Sequence, residues 1–196
     1  MKNIIRKVFI LTSIFCVIHF ASAQYQWTTP VPIDTSTYPS SIGGAMALDD
    51  SANIYATFAS TYPGKFLVVR STDQGSTWMQ YEYTGPELSR VPRDIVADHN
   101  GNVWLLWISW ESEFAPAYLN LSKSIDSGRT FTTLFSSLSY FDGHLYQKLA
   151  VDAQNSIYML WDDVQFKLTK FRFGDINQRV DAEIPNDTLL IGSWPS

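Results

Sequence analysis

An all-β chain assembled from a repeated four-stranded unit is the fold class this sequence predicts, on three observations. First, two octamers are near copies: Ser71-Thr72-Asp73-Gln74-Gly75-Ser76-Thr77-Trp78 and Ser124-Ile125-Asp126-Ser127-Gly128-Arg129-Thr130-Phe131. Both read S-x-D-x-G-x-T-aromatic, and their aspartates lie 126 − 73 = 53 residues apart, a spacing typical of repeat architectures. Second, an Asp-led turn recurs at 48–55, 97–104 and 151–158, with Asp49, Asp98 and Asp152 spaced by 49 and 54 residues. Each Asp ends an apolar stretch, a turn of small polar residues follows, and an apolar-aromatic stretch resumes. Third, the segments between these marks have strand lengths and no sustained helical period.

Taken in chain order, residues 1–23 are expected to be a secretion signal outside the fold. Lys2, Arg6 and Lys7 make a basic start, 8–20 an apolar run, and Ala21-Ser22-Ala23 an A-x-A cleavage site. The run is short of the roughly 20 apolar residues of a membrane-spanning helix, so no membrane span is expected after cleavage. Phe15 before Cys16 lacks the small residue a lipoprotein signal needs. Cys16 is the one cysteine, so the mature chain can use neither a disulfide nor a thiol nucleophile. The mature domain, 24–196, is expected to be secreted, periplasmic or on the cell surface, and its 196 − 23 = 173 residues suffice for one sizeable core. It carries 14 − 3 = 11 basic and 19 acidic residues, a net of −8. An acidic chain without basic clusters argues against nucleic acid and anionic membranes as partners.

The second repeat shows the unit most clearly. Strand A is expected over 94–97, B over 103–110, C over 117–122 and D from Thr130. The Asp-led turn joins A to B, and the octamer joins C to D. Four antiparallel strands joined this way are a propeller blade. Blades then fall at about 44–83, 94–135 and 149–185. The third keeps strands at 158–161 and 166–173, but its octamer is degenerate: Phe173-Gly174-Asp175-Ile176-Asn177 retains the Asp without the following Gly-x-Thr. Residues 26–33 read as the outermost strand of a closing blade. Propellers close with four to eight blades, so about three implies a partial propeller, with missing blades or self-association to cover its open edges.

The octamers resemble the Asp-box (BNR) repeat of sialidase-like β-propellers. The resemblance implies a structural turn role for Ser71, Asp73, Gly75, Thr77 and Trp78, and for Ser124, Asp126, Gly128, Thr130 and Phe131. A carboxylate at the Asp position accepts backbone N–H groups, and Gly takes the φ > 0 position. Thr and the aromatic then start a strand that suits them. The resemblance speaks to fold more than to activity, because the family includes sialidases, other glycosidases, receptors and assembly factors.

In such a blade the A–B and C–D turns lie at one end and the B–C and D–A loops at the other. The turn end is uniform, while the loop end varies from repeat to repeat. Its loops, about 34–43, 59–64, 84–92, 109–116, 138–146 and 162–165, carry the candidate binding residues. These are Arg90, Trp110, Glu111, Glu113, Tyr140, Asp142, His144, Tyr146 and Asp162, with Tyr38, Tyr62 and Asp163 nearby. Aromatic rings that stack on sugars, beside carboxylates, are what a glycan site requires. Ser89-Arg90-Val91-Pro92 is similar to the Arg-(Ile/Leu)-Pro motif of sialidases, whose Arg belongs to a triad gripping the substrate carboxylate. It follows an Asp-box instead of preceding one, and its leading aromatic is missing. Arg70 and Arg129 flank the boxes and Arg93 falls in strand A, so no triad is visible. Nor is there a Tyr/Glu nucleophile pair with an Asp acid. His99 and His144 lack metal-ligand spacing, and no phosphate loop, nucleophile elbow or HExxH motif occurs. Neither metal nor cofactor is expected. Asn120-Leu121-Ser122 and Asn186-Asp187-Thr188 fit glycosylation sequons.

The resulting expectation is a secreted module that binds carbohydrate or protein without complete catalytic machinery. A fragment of an exo-sialidase or related glycoside hydrolase is one alternative. A structural or adhesive module of a surface protein is the other.

Overall fold

The computed structural model describes residues 41–42, 44–60, 65–84, 89–110, 116–139, 147–162 and 166–183. All lie in one compact unit, Pro32–Ser196. The expected leader at 1–23 and the strand at 26–33 lie outside the described residues.

The chain forms three antiparallel sheets, each a blade of four strands in sequence order, and so a partial propeller. Blade 1 holds β1 (Ser41–Ile42), β2 (Met46–Leu48), β3 (Ile54–Ser60), β4 (Lys65–Ser71) and β5 (Met79–Thr84). Here β1 and β2 are two pieces of one inner strand, both paired to β3. Gly44 lies between them, and a Cβ there would overlap the Thr57 carbonyl, so the strand comes closer to β3 than any side chain permits. Blade 2 runs β6 (Ser89–Ala97), β7 (Val103–Trp110), β8 (Ala117–Ser124) and β9 (Thr132–Ser139). Blade 3 runs β10 (Lys148–Val151), β11 (Ile157–Asp162), β12 (Phe166–Phe171) and β13 (Arg179–Glu183).

Two cores lie between successive blades, and β7 serves both. Its residues are buried from Val103 through Ser109, as expected of a strand covered on both faces. Val103, Leu105 and Trp107 meet Tyr55, Phe66 and Val68 of blade 1. Trp104, Leu106 and Ile108 meet Ile157, Met159, Trp161 and Phe171 of blade 3. At roughly 1.5–3 kcal/mol for each fully buried large side chain, these two clusters are the main cohesion between blades.

Strand bounds differ from expectation in specific ways. β6 starts at Ser89, so Arg90 lies in a strand and not in a loop at 84–92. Pro92 is accommodated because β6 is an edge strand with a register break between Pro92 and Asp94. β9 continues to Ser139, past the expected 135. β12 stops at Phe171, and two 3-10 turns, Arg172–Gly174 and Ile176–Gln178, stand where an octamer turn would be.

Candidate functional site

One end of the three blades gathers every Asp-led turn. In the A–B turns, Asp49 Oδ1 accepts the N–H groups of Ser51 and Asn53, each at 2.9 Å. Asp98 Oδ1 does the same for Asn100 and Asn102, each at 2.9 Å. Asp152 Oδ1 accepts from Gln154 at 3.0 Å and Ser156 at 2.8 Å. The other oxygen holds an aromatic donor six residues on: Tyr55 Oη at 3.1 Å, Trp104 Nε1 at 3.0 Å and Tyr158 Oη at 3.0 Å. A cation from the C strand lies over each ring, Arg70 on Tyr55, Lys123 on Trp104 and Lys170 on Tyr158. Lys170 Nζ also donates to Tyr158 Oη. This Asp–aromatic–cation set was not singled out in the sequence. Its signal was present, since Arg70 and Lys123 immediately precede the Ser of each octamer.

The C–D turns are equally self-contained. Asp73 Oδ1 accepts Thr77 N–H at 2.8 Å and Ser71 Oγ at 2.8 Å, while Oδ2 accepts Thr77 Oγ1 at 2.6 Å. Asp126 repeats this with Thr130 N–H at 2.9 Å, Ser124 Oγ at 2.7 Å and Thr130 Oγ1 at 2.6 Å. Gln74-Gly75 and Ser127-Gly128 adopt left-handed φ of 60° and 90°, and of 62° and 83°. Hydrogen bonds from Thr77, led by its hydroxyl, hold the Asp73 carboxyl down at about 2. At Asp126 burial pushes upward, but the Thr130 hydroxyl and N–H outweigh it and the carboxyl again falls to about 2. The Ser156 N–H is the largest influence lowering Asp152 to about 2. Carboxylates spent on their own turns are poor general acids at neutral pH.

The turns also join blades. The backbone of Gly128 lies against Tyr55 and Val68 of blade 1, and that of Gly174 against Trp104 of blade 2. Blade 3 therefore keeps the glycine contact although its Gly precedes its Asp. Tyr83 Oη donates to the carbonyls of Gly128 at 2.6 Å and Arg129 at 2.7 Å. His99 Nδ1 meets the Asp50 carboxylate at 2.9 Å, and the backbone N–H of His99 donates to Asn155 Oδ1 at 2.8 Å, linking all three A–B turns.

Three of the candidate binding residues fall at described strand ends on the opposite side of the blades. The backbones of Arg90, Trp110 and Asp162 stand there, Arg90 near the start of β6 and the other two closing β7 and β11. The side chain of Trp110 is partly buried and packs on the core between blades 2 and 3. Glu111, Glu113, Tyr140, Asp142, His144 and Tyr146 lie outside the described residues, as do the side chains of Arg90 and Asp162. Asn120, in β8, is 5% exposed, and its side-chain amide donates to Ser109 Oγ and the Tyr118 carbonyl, each at 3.0 Å. That sequon is closed in the folded chain. Among the described residues no three His, Cys, Asp or Glu side chains converge as a metal ion requires. No described helix is long and apolar enough to cross a membrane.

Fold and turns together define a class: an antiparallel β-propeller, here partial, with Asp-anchored turns at one end. No protein-family model and no curated protein matches the chain. Among solved structures it is similar to a protein of unknown function from Dyadobacter fermentans, at 15% identity and a TM-score of 0.56, over 74% of this chain and 51% of that one. It is also similar to a Hadza microbial sialidase, at 14% identity and a TM-score of 0.51, over 71% of this chain and 32% of the sialidase. The chain thus spans about half the length of the first and a third of the second. At such identity the likeness shows the fold alone, a sialidase-like propeller.

Proposed function

We propose that this chain is an exported, sialidase-like Asp-box propeller module that binds a glycan through its loop end and does not itself hydrolyse it. The observation that carries the reading is the contrast between the two ends. Asp49, Asp73, Asp98, Asp126 and Asp152 all spend their carboxylates on their own turns, which leaves recognition to the loops opposite. In this reading the loop sequences supply Tyr140 and Tyr146 for stacking and Glu111, Glu113 and Asp142 as hydrogen-bond acceptors, beside Trp110 at the end of β7. Glycoside hydrolysis commonly needs two carboxyl groups about 5–10 Å apart across the scissile bond, and sialidases add an arginine clamp. Arg90 is the single arginine with a matching motif. Export rests on the basic start, the apolar run and Ala21-Ser22-Ala23.

A glycan array probed with the purified chain is expected to show binding that falls in Tyr140→Ala, with no turnover of a fluorogenic sialoside. Binding to a protein partner and to no glycan would redirect the reading to an adhesive module. Saturable turnover lost in Arg90→Ala would overturn it in favour of a glycosidase fragment. That second reading is favoured by the likeness to a sialidase three times as long as the matched span.

A further inference from the structure

His99 touches the A–B turns of both neighbouring blades, and it does so by two different kinds of bond. Asp50, His99 and Ala153 each follow the leading Asp of their turn, so they hold equivalent places in the repeat, 49 and 54 residues apart. Asn155 holds the left-handed place of its turn, at φ 60°, where the other two blades have Ala52 and Gly101. Between blades 1 and 2 the His99 ring meets Asp50, with Nδ1 3.0 Å from Oδ1 and 2.9 Å from Oδ2. Between blades 2 and 3 the Asn155 side-chain oxygen accepts the His99 backbone N–H at 2.8 Å. The first contact is ionisable on both sides, and the second on neither.

The other charged groups on the elements that meet here are engaged in their own turns and rings. Asp49, Asp98 and Asp152 each bind two N–H groups of their turn and one aromatic donor. Arg70, Lys123 and Lys170 lie over Tyr55, Trp104 and Tyr158. Asp126, in the C–D turn whose Gly128 rests on Tyr55, is bound by Ser124 and Thr130. Asp175 follows Gly174, which lies against the Asn155 carbonyl, and it accepts from Asn177 and Gln178. Asp50 and the His99 ring are bound to each other instead.

We propose that the His99–Asp50 contact is a pH-sensitive clasp on the junction of blades 1 and 2, firmer under mild acid, and that the junction of blades 2 and 3 responds to pH through no such contact. An imidazole ordinarily changes charge near pH 6.5, while a carboxylate is ionised throughout above about pH 5. Between those values the pair is imidazolium and carboxylate, a charge-assisted bond roughly twice as strong as its neutral counterpart. The ionic part is complete below the imidazole range and is lost as pH rises through it. A neutral ring can still donate from Nδ1, so the clasp loosens at high pH without coming apart. With the ring 44% and the carboxylate 65% exposed, water and salt screen the pair, and its effect is modest and local. The Asn155 bond, amide to amide, keeps its strength across the same range.

A double-mutant cycle of Asp50→Asn and His99→Asn, followed by urea denaturation at about pH 5.5 and about pH 8, isolates the pair from every other titrating group. Both positions are exposed, and both substitutions leave the His99 backbone N–H and Asn155 in place. His144, the other histidine of residues 24–196, is common to all four chains and cancels in the cycle. The coupling between the two positions is expected to change the unfolding equilibrium constant about two- to fivefold at the lower pH, the range of an exposed ion pair. It should shrink towards unity at the higher pH, and at the lower pH in about 1 M salt. Hydrogen-exchange protection, corrected for the intrinsic rate, should fall with rising pH at the 49–53 turn and stay constant at the His99 N–H that Asn155 holds. Coupling equal at both pH values, coupling absent at both, or an equal loss of protection at the two junctions would each overturn the proposal.

Discussion

Asp126 illustrates how a single carboxylate organises a turn. Ser124 Oγ, Thr130 Oγ1 and the N–H groups of Arg129 and Thr130 all donate to it. Because these donors favour the ionised form, its folded value of about 2 lies below the ordinary 3.8. A depressed carboxyl contributes stability that is complete above the unfolded value and is lost as pH falls through the folded one. The chain is therefore expected to lose melting temperature between about pH 4 and pH 2. Asp126→Asn should melt about 2–4 °C lower at pH 7, and the gap should close by pH 2, as differential scanning calorimetry across that range will show. Equal gaps at both pH values would mean that packing and not ionisation is responsible. The octamers themselves were legible as sequence because S-x-D-x-G-x-T states its donors, acceptor and left-handed glycine within eight residues. The cation–aromatic pairs were not, since Arg70 reaches Tyr55 only once β3 and β4 align them.

At the scale of strands, length and alternation were legible where local chemistry set them. β7 was expected over 103–110 and runs over those residues. The ends of β6 and β9 were not, because pairing with β7 and β8 extends them beyond what their own residues announce. Pro92 reads as a strand breaker until β6 is seen to be an edge. Gly44 is a similar case. Nothing in Ile42-Gly43-Gly44-Ala45 announces a close approach, yet the inner strand of blade 1 depends on it. Gly44→Ala must displace the Thr57 backbone and is expected to cost about 3 kcal/mol, the range of overpacking against rigid structure. Urea denaturation will measure it, and a loss below about 0.5 kcal/mol would show that the inner strand shifts freely.

Across the whole molecule, blades cohere through apolar faces and a few specific bonds. Tyr83 is the clearest of these, an outer-strand residue of blade 1 whose hydroxyl serves two carbonyls of the blade 2 turn and whose ring stacks on Phe66 and meets Phe131. Tyr83→Phe keeps the ring and is expected to lower stability by about 1–2 kcal/mol through the unmade bonds. Hydrogen exchange should show faster opening of the 124–131 turn, whereas unchanged protection there would place the cohesion in the apolar cluster alone. The sequence by itself determined the β class, the three-fold repeat and the chemistry of the turns, because each is written in residues within one turn or strand of one another. Which turn glycine rests on which neighbouring ring, which strand is an edge, and which apolar positions are core or left outside were decided only by tertiary structure. Those outcomes depend on residues about 50 positions apart, brought together by blades that no single repeat specifies.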